Sequence, residues 1–158
     1  MAELEIVHAT GRIEASPETV WAYLGDPERM VHLNQDLIEV RDISPAGALQ
    51  AGQRWIERSR TPLGEQELRT RVVAVDGVDR HVRLESHGPM GVCIEGGMHL
   101  QPSGSGTEVV LEHRITLPGG PLFSGAVAAL LAGRVRQNSR AALERLAAGV
   151  QARKPGVG

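Results

Sequence analysis

The sequence predicts an α+β domain with seven strands in one antiparallel sheet, two short helices after the first strand, and one long C-terminal helix. Three observations carry this. Residues 4–15 alternate in polarity and run straight into a helix start at Ser16-Pro17. From residue 37 to 117, short alternating runs are separated by turns bearing Gly, Pro or Asp. Residues 122–151 keep a helical period, with Val135, Ser139, Ala142, Leu143, Leu146 and Val150 in one stripe and arginines at 134, 136, 140 and 145 around much of the rest.

The first strand sets Val7, Ala9, Gly11, Ile13 and Ala15 on one face, and His8, Thr10, Arg12 and Glu14 on the other. Ser16 then stands as an N-cap, Pro17 takes the first helical position, and Val20, Trp21 and Leu24 follow at helical spacing. Gly25-Asp26-Pro27 ends that helix and opens another, so short helices are expected over 17–24 and 27–33. A strand over 37–43 closes at Ser44-Pro45-Ala46-Gly47. Five more follow over 53–60, 66–75, 80–87, 92–101 and 107–117, the last stopping at Pro118-Gly119-Gly120-Pro121. Residues 1–152 read as a single domain and 153–158 as a flexible tail.

A chain of 158 residues that is 41% hydrophobic has enough apolar material for one core. It holds only two Trp, one Tyr and one Phe, so Val, Leu, Ile and Ala do most of the packing. Few rings and 19 glycines suit an incompletely filled interior, although a coding bias towards Ala, Gly, Val and Arg gives the same counts. A net charge of −2 argues against a general nucleic-acid binder. Cys93, the single cysteine, excludes an internal disulfide and any cysteine-rich metal site. The acidic start Met1-Ala2-Glu3 does not read as a signal peptide, and the longest apolar stretch, 126–132, is too short for a bilayer. A cytoplasmic protein, monomer or homodimer, is the expectation. No His-Glu-x-x-His, Gly-x-Ser-x-Gly, phosphate loop or cysteine pair occurs, so no metal and no cofactor is expected.

Any chemistry then rests on isolated polar residues that strand alternation turns inward. Over 53–60, Trp55, Glu57 and Ser59 share a face opposite Arg54, Arg58 and Arg60. The next strands contribute Leu68, Thr70, Val72 and Ala74, then Val82, Leu84 and Ser86, then Val92, Ile94, Gly96, Met98 and Leu100. The last gives Val109, Leu111, His113, Ile115 and Leu117. Glu57 and His113 stand out in this apolar set. His81, His87 and His99 fall on the outward parity, which argues against a histidine metal cluster, and Cys93 falls outward or at an edge.

The run from Ile13 to Arg29 resembles the opening of the START-like (SRPBCC), polyketide-cyclase-like superfamily. Gly52-Gln53 before the third strand and Gly106-Thr107-Glu108-Val109 before the last are similar to that family too, and the likeness covers nearly the whole chain. It implies a helix-grip fold, with a curved sheet wrapped around the long helix and a cavity for an apolar small molecule. Many relatives carry Trp and Pro where this chain reads His32-Leu33-Asn34, so the rim of the cavity departs from theirs.

The resemblance implies binding of a polyketide- or lipid-like ligand. Its enzymatic form would be cofactor-independent cyclisation or dehydration of the aromatase/cyclase type. Glu57 and His113 are the candidate acid and base, because burial shifts carboxyl and imidazole groups towards the pH at which both can exchange protons. The competing account makes His113 a satisfied core histidine and Glu57 a solvated carboxylate at the open end of the sheet. Candidate ligand contacts are His32, Asn34, Trp55, Ser59, Thr70, Ser86, Met98 and Asn138, with Phe123 and Leu130 from an apolar lid of Phe123, Val127, Leu130 and Leu131. The alternative function is a protein-interaction module, like the chaperone-ATPase activators or ribosome-associated factors of this architecture. It would use the outer sheet face around Arg54, Arg58, Arg60, Arg69, Arg71 and Arg83, where Glu65, Glu67 and Glu85 dilute the positive charge.

Overall fold

The computed structural model describes residues 3–119 and 125–153. Strand β1 (Glu3–Ile13) leads into α1 (Pro17–Leu24) and α2 (Pro27–Val31). Ser16 Oγ accepts a hydrogen bond from the Thr19 backbone N–H, and Asp26 Oδ1 accepts one from Glu28. Each cap is followed by a proline at the first helical position, as the sequence predicts. Helix α2 stops at Val31, two residues short of the predicted end, because His32 already serves as its C-cap.

Strands β2 (Leu37–Ser44), β3 (Arg54–Thr61), β4 (Gly64–Asp76), β5 (His81–His87), β6 (Cys93–Ser103) and β7 (Gly106–Leu117) form an antiparallel meander. A single 3₁₀ turn, Pro89–Gly91, joins β5 to β6. The sheet order is β1-β7-β6-β5-β4-β3-β2, so the first strand returns to pair with the last. Helix α3 (Gly125–Ala152) crosses the inner face. This is the α+β helix-grip arrangement that the sequence predicts. The early part of the predicted long helix, from 122, and the tail beyond 153 lie outside the described residues. Among the described residues no helix is long and apolar enough to cross a membrane.

Alternation holds along nearly every strand, with one correction on β4. Val72 lies opposite Leu84, but Ala74 lies opposite Arg83 and Val75 opposite Val82. The extra residue is a bulge, and it hands the inward position from Ala74 to Val75. Val75 then packs on the cluster of Val31, Trp55 and Val72.

Two other apolar clusters seat α3. Leu146 and Val150 pack with Ile13, Val20, Leu24, Val109 and Leu111. Ala128 and Ala132 pack with Val7, Ile115 and Leu117. Each fully buried aliphatic side chain contributes about 1.5–3 kcal/mol.

The Gly106-Thr107 pair closes the β1–β7 ladder at its far end. Thr107 Oγ1 donates to the Ala15 carbonyl at 2.7 Å. A Cβ on Gly106 would stand 2.6 Å from the Ile13 carbonyl oxygen, a backbone atom that cannot swing aside. Gly106→Ala is therefore expected to destabilise the fold by about 2 kcal/mol through forced strand separation. Urea unfolding at constant m-value reads this directly, and an unchanged midpoint would contradict it.

Candidate ligand cavity

Between the two contacts that seat α3, the helix stands away from the sheet. A cavity of about 250 Å³ fills the gap. Its walls are mostly apolar, with Trp55, Leu84, Met98 and Leu111 from the sheet and Leu131 and Val135 from α3. Helix α2 and its following turn add Met30 and Leu33.

Two polar centres interrupt this surface. On β3, Glu57 is 8% exposed, and its Oε2 accepts hydrogen bonds from Trp55 Nε1 at 3.1 Å and Thr70 Oγ1 at 2.6 Å. Thr70 has a single hydroxyl hydrogen, directed to Glu57, so the 2.7 Å contact between Thr70 and Ser86 is donated by Ser86. A relay of Ser86, Thr70 and Glu57 thus runs across three neighbouring strands. Both donors meet Oε2, and Oε1 has no protein donor among the described residues. Oε1 keeps its acceptor capacity.

His113 on β7 forms the second centre. Its Nδ1 lies 3.2 Å from Ser139 Oγ on α3, and that same hydroxyl donates to the Val135 carbonyl at 2.9 Å. Ser139 has no second hydrogen to give, so Nδ1–H is the donor to Ser139. A neutral His113 therefore carries its proton on Nδ1 and a free lone pair on Nε2. Burial pushes the imidazole below its ordinary value and favours this neutral form. Gly96, directly opposite in register, leaves the ring its room, since a Cβ there would come within 3.3 Å of it.

Glu57 and His113 do not pair with each other. They belong to strands four positions apart in the sheet and hold separate partners. Both line the cavity, on walls that a ligand would lie between.

Where the turn after α2 meets α3, the lining is polar. Arg134 Nε donates to Asp36 Oδ2 at 2.8 Å, while its Nη2 donates to Oδ1, in a bidentate pair with Asp36 only 5% exposed. Gln35 Nε2 donates to Asn138 Oδ1 at 2.8 Å, and Asn34 Nδ2 to Ser59 Oγ at 3.1 Å. Arg145 donates to the His32 carbonyl at 2.9 Å. These contacts strap the 32–36 turn to the long helix and to β3.

Of the sequence candidates, Asn34, Trp55, Glu57, Ser59, Ser86, Met98, His113 and Asn138 come together on the cavity wall. Three others do not. His32 is exposed, and its Nδ1 bonds the Glu28 carbonyl at 2.6 Å as part of the α2 cap, so its ring turns away. Leu130 is 55% exposed, and the next residue, Leu131, takes the cavity position because one helical step rotates a side chain by about 100°. Thr70 is buried behind the wall, with its hydroxyl committed to Glu57 and Ser86. Phe123 lies outside the described residues. Asp36, Arg134, Ser139 and Gly96 are missing from the sequence candidates. A polar residue inside an apolar helical stripe was the one visible signal for Ser139. Asp36 and Arg134 are 98 residues apart, and only the fold joins them.

The family described as polyketide cyclase / dehydrase and lipid transport matches residues 5–151. The chain belongs to this family. Solved structures agree at the level of the fold. The Zhui aromatase/cyclase from Streptomyces sp. R1128 superposes with a TM-score of 0.81 at 19% identity, covering 99% of each chain. TTHA0849 from Thermus thermophilus gives 0.76 at 23% identity, over 94% of this chain and 98% of that one. Norcoclaurine synthase from Thalictrum flavum, solved with dopamine and hydroxybenzaldehyde, gives 0.73 at 16% identity, over 98% and 91%. No curated protein sequence matches. In this polyketide cyclase / dehydrase family member, the likeness to solved structures establishes the fold and leaves the contents of the cavity to its own residues.

The depressed His113 predicts a pH dependence of stability. The unfolded chain takes up a proton near pH 6.5 that the folded chain refuses, so stability falls as the pH drops below about 6.5. The loss stops once the folded imidazole itself protonates. The slope from this one group is at most about 1.4 kcal/mol per pH unit. Urea midpoints measured between pH 8 and 5 should fall less steeply in His113→Gln than in the wild type. Parallel profiles would contradict the assignment.

Proposed function

We propose that the cavity binds an apolar, oxygen-bearing small molecule of polyketide or lipid type, and that the enzyme form of this activity is cofactor-independent cyclisation with loss of water. The observation that carries this reading is a mostly apolar cavity with one free carboxylate oxygen on one wall and one neutral imidazole on another. An apolar wall folds a flexible chain by excluding water, and the two polar centres select its register. Family membership and the fold shared with an aromatase/cyclase support the same substrate class.

The mechanism follows from the hydrogen bonding. A substrate hydroxyl or enol donates to Glu57 Oε1, which fixes that end of the chain. His113 Nε2 removes a proton from a methylene between two carbonyls, and the resulting carbanion attacks a third carbonyl carbon to close the ring. The alkoxide so formed takes the proton back from the imidazolium and becomes a hydroxyl. His113 Nε2 then takes the remaining proton from the carbon between the two carbonyls and returns it to the departing hydroxyl, so that the C–H and C–O bonds break, a C=C bond forms and water leaves. Ser139 accepts the Nδ1 proton bond throughout and so holds the ring steady.

The outer sheet face favours this reading over a docking module. Arg41 meets Glu67, Arg58 meets Glu39 and Arg71 meets Glu85, giving a surface of mixed sign.

Native mass spectrometry of the purified protein should show a co-purifying small molecule, displaced by aromatic polyketides or fatty acids from a test panel. For any substrate turned over, Glu57→Gln and His113→Ala should each lower kcat/KM at least tenfold, about 1.4 kcal/mol of barrier. Unchanged rates in both would remove the anchoring role of Glu57 and the proton transfer by His113. A mass spectrum and panel free of any bound species would remove the container itself.

A further inference from the structure

The outer face of the β5–β6 hairpin gathers three donors that the cavity does not use. Glu85 and His87 lie two residues apart on β5 and so share a face, and Cys93 on β6 stands directly opposite His87. A carboxylate oxygen, an imidazole nitrogen and the thiol sulfur all lie within 4.8 Å of one another. The geometry points to a binding site for one thiophilic divalent cation of the zinc class, held by Glu85, His87 and Cys93.

The donor set fits that class. Sulfur with imidazole selects zinc-like ions over calcium or magnesium, which take oxygen alone. Tetrahedral bonds of roughly 2.0–2.3 Å put donors roughly 3.3–3.8 Å apart, so side-chain shifts of about 1 Å close the site. All three donors sit on a single hairpin of short reach, Glu85-Ser86-His87-Gly88-Pro89-Met90-Gly91-Val92-Cys93, so little chain has to be ordered.

The surroundings are already arranged for it. His87 Nε2 is in very close contact with Glu85 Oε1, and a cation would take the place of the proton shared between them. Arg71 Nη2 lies 3.5 Å from Glu85 Oε2 and orients the carboxylate from behind. Glu95, opposite Glu85 in register, adds negative charge beside the site, while Arg69 stands opposite His87 and Arg114 opposite Glu95. On binding, Cys93 releases its thiol proton to solvent. The occupied site would clamp the hairpin whose inner face supplies Ser86, Ile94 and Gly96 to the cavity wall.

The single cysteine makes the test unambiguous. The full chain, stripped of metal with a chelator, is titrated with Co²⁺ and followed by absorbance. One equivalent should bring up a thiolate-to-cobalt charge-transfer band, which Zn²⁺ then removes. Cys93→Ser should abolish the band, and His87→Ala and Glu85→Gln should each weaken binding at least tenfold. His87→Gln, a closer match in size, provides the same reading if His87→Ala unfolds. Absence of the band overturns the proposal. So does a band that Cys93→Ser removes but the His87 and Glu85 variants leave at wild-type affinity, since that marks a lone thiolate.

Discussion

The rest of the structure depends on how α3 is seated. At one end Leu146 and Val150 reach into the cluster around Ile13 and Val109, and at the other Ala128 and Ala132 bring the helix down on Val7, Ile115 and Leu117. Between these two contacts the helix presents Val135, Ser139 and Ala142, short side chains that line the cavity and leave its space open. A close-packed interior would require larger residues there. The cavity is what remains when a helix is pinned at both ends over a concave sheet and its middle is kept small.

That geometry gives each polar centre its meaning. Ser139, in the open middle of α3, reaches His113 across the gap and sets its tautomer. On the far side, Glu57 is buried yet satisfied, because Trp55 and Thr70 donate to one oxygen and leave the other available. Unpaired, such a carboxylate would cost several kcal/mol to bury, so the relay through Thr70 and Ser86 makes an inward acid tolerable in an apolar wall. The strap of Asp36, Arg134, Gln35 and Asn138 completes the enclosure from the α2 side.

Much of this was legible in the sequence, for definite reasons. Strand period is two, so one outward arginine row on β3 suffices to turn Trp55, Glu57 and Ser59 inward, and the same logic places His113. Cap chemistry located α1 and α2 because Ser16-Pro17 and Asp26-Pro27 are local signals. What failed was phase. A bulge exchanged Ala74 for Val75, the helix turned Leu130 outward while its lid neighbour Leu131 lines the cavity, and the early end of α2 turned His32 into a cap. Pairings across the fold were also out of reach, since nothing local couples Asp36 to Arg134 or Ser139 to His113. The gathering of Glu85, His87 and Cys93 belongs to the same group. Parity alone turns His87 and Cys93 outward, and only the register sets Cys93 against His87.

The central claim is that a small molecule enters the space beneath α3, and the methionines report on it without any substitution. Met98 and Met30 line the cavity, whereas Met90, 55% exposed at the turn before β6, lies outside it. The decisive measurement is methyl NMR of methionine-labelled protein during titration with an aromatic polyketide or a fatty acid. The Met98 resonance should shift in a saturable way while that of Met90 stays in place. A shift confined to Met90, or a Met98 signal unmoved by every ligand of both classes, would contradict the account.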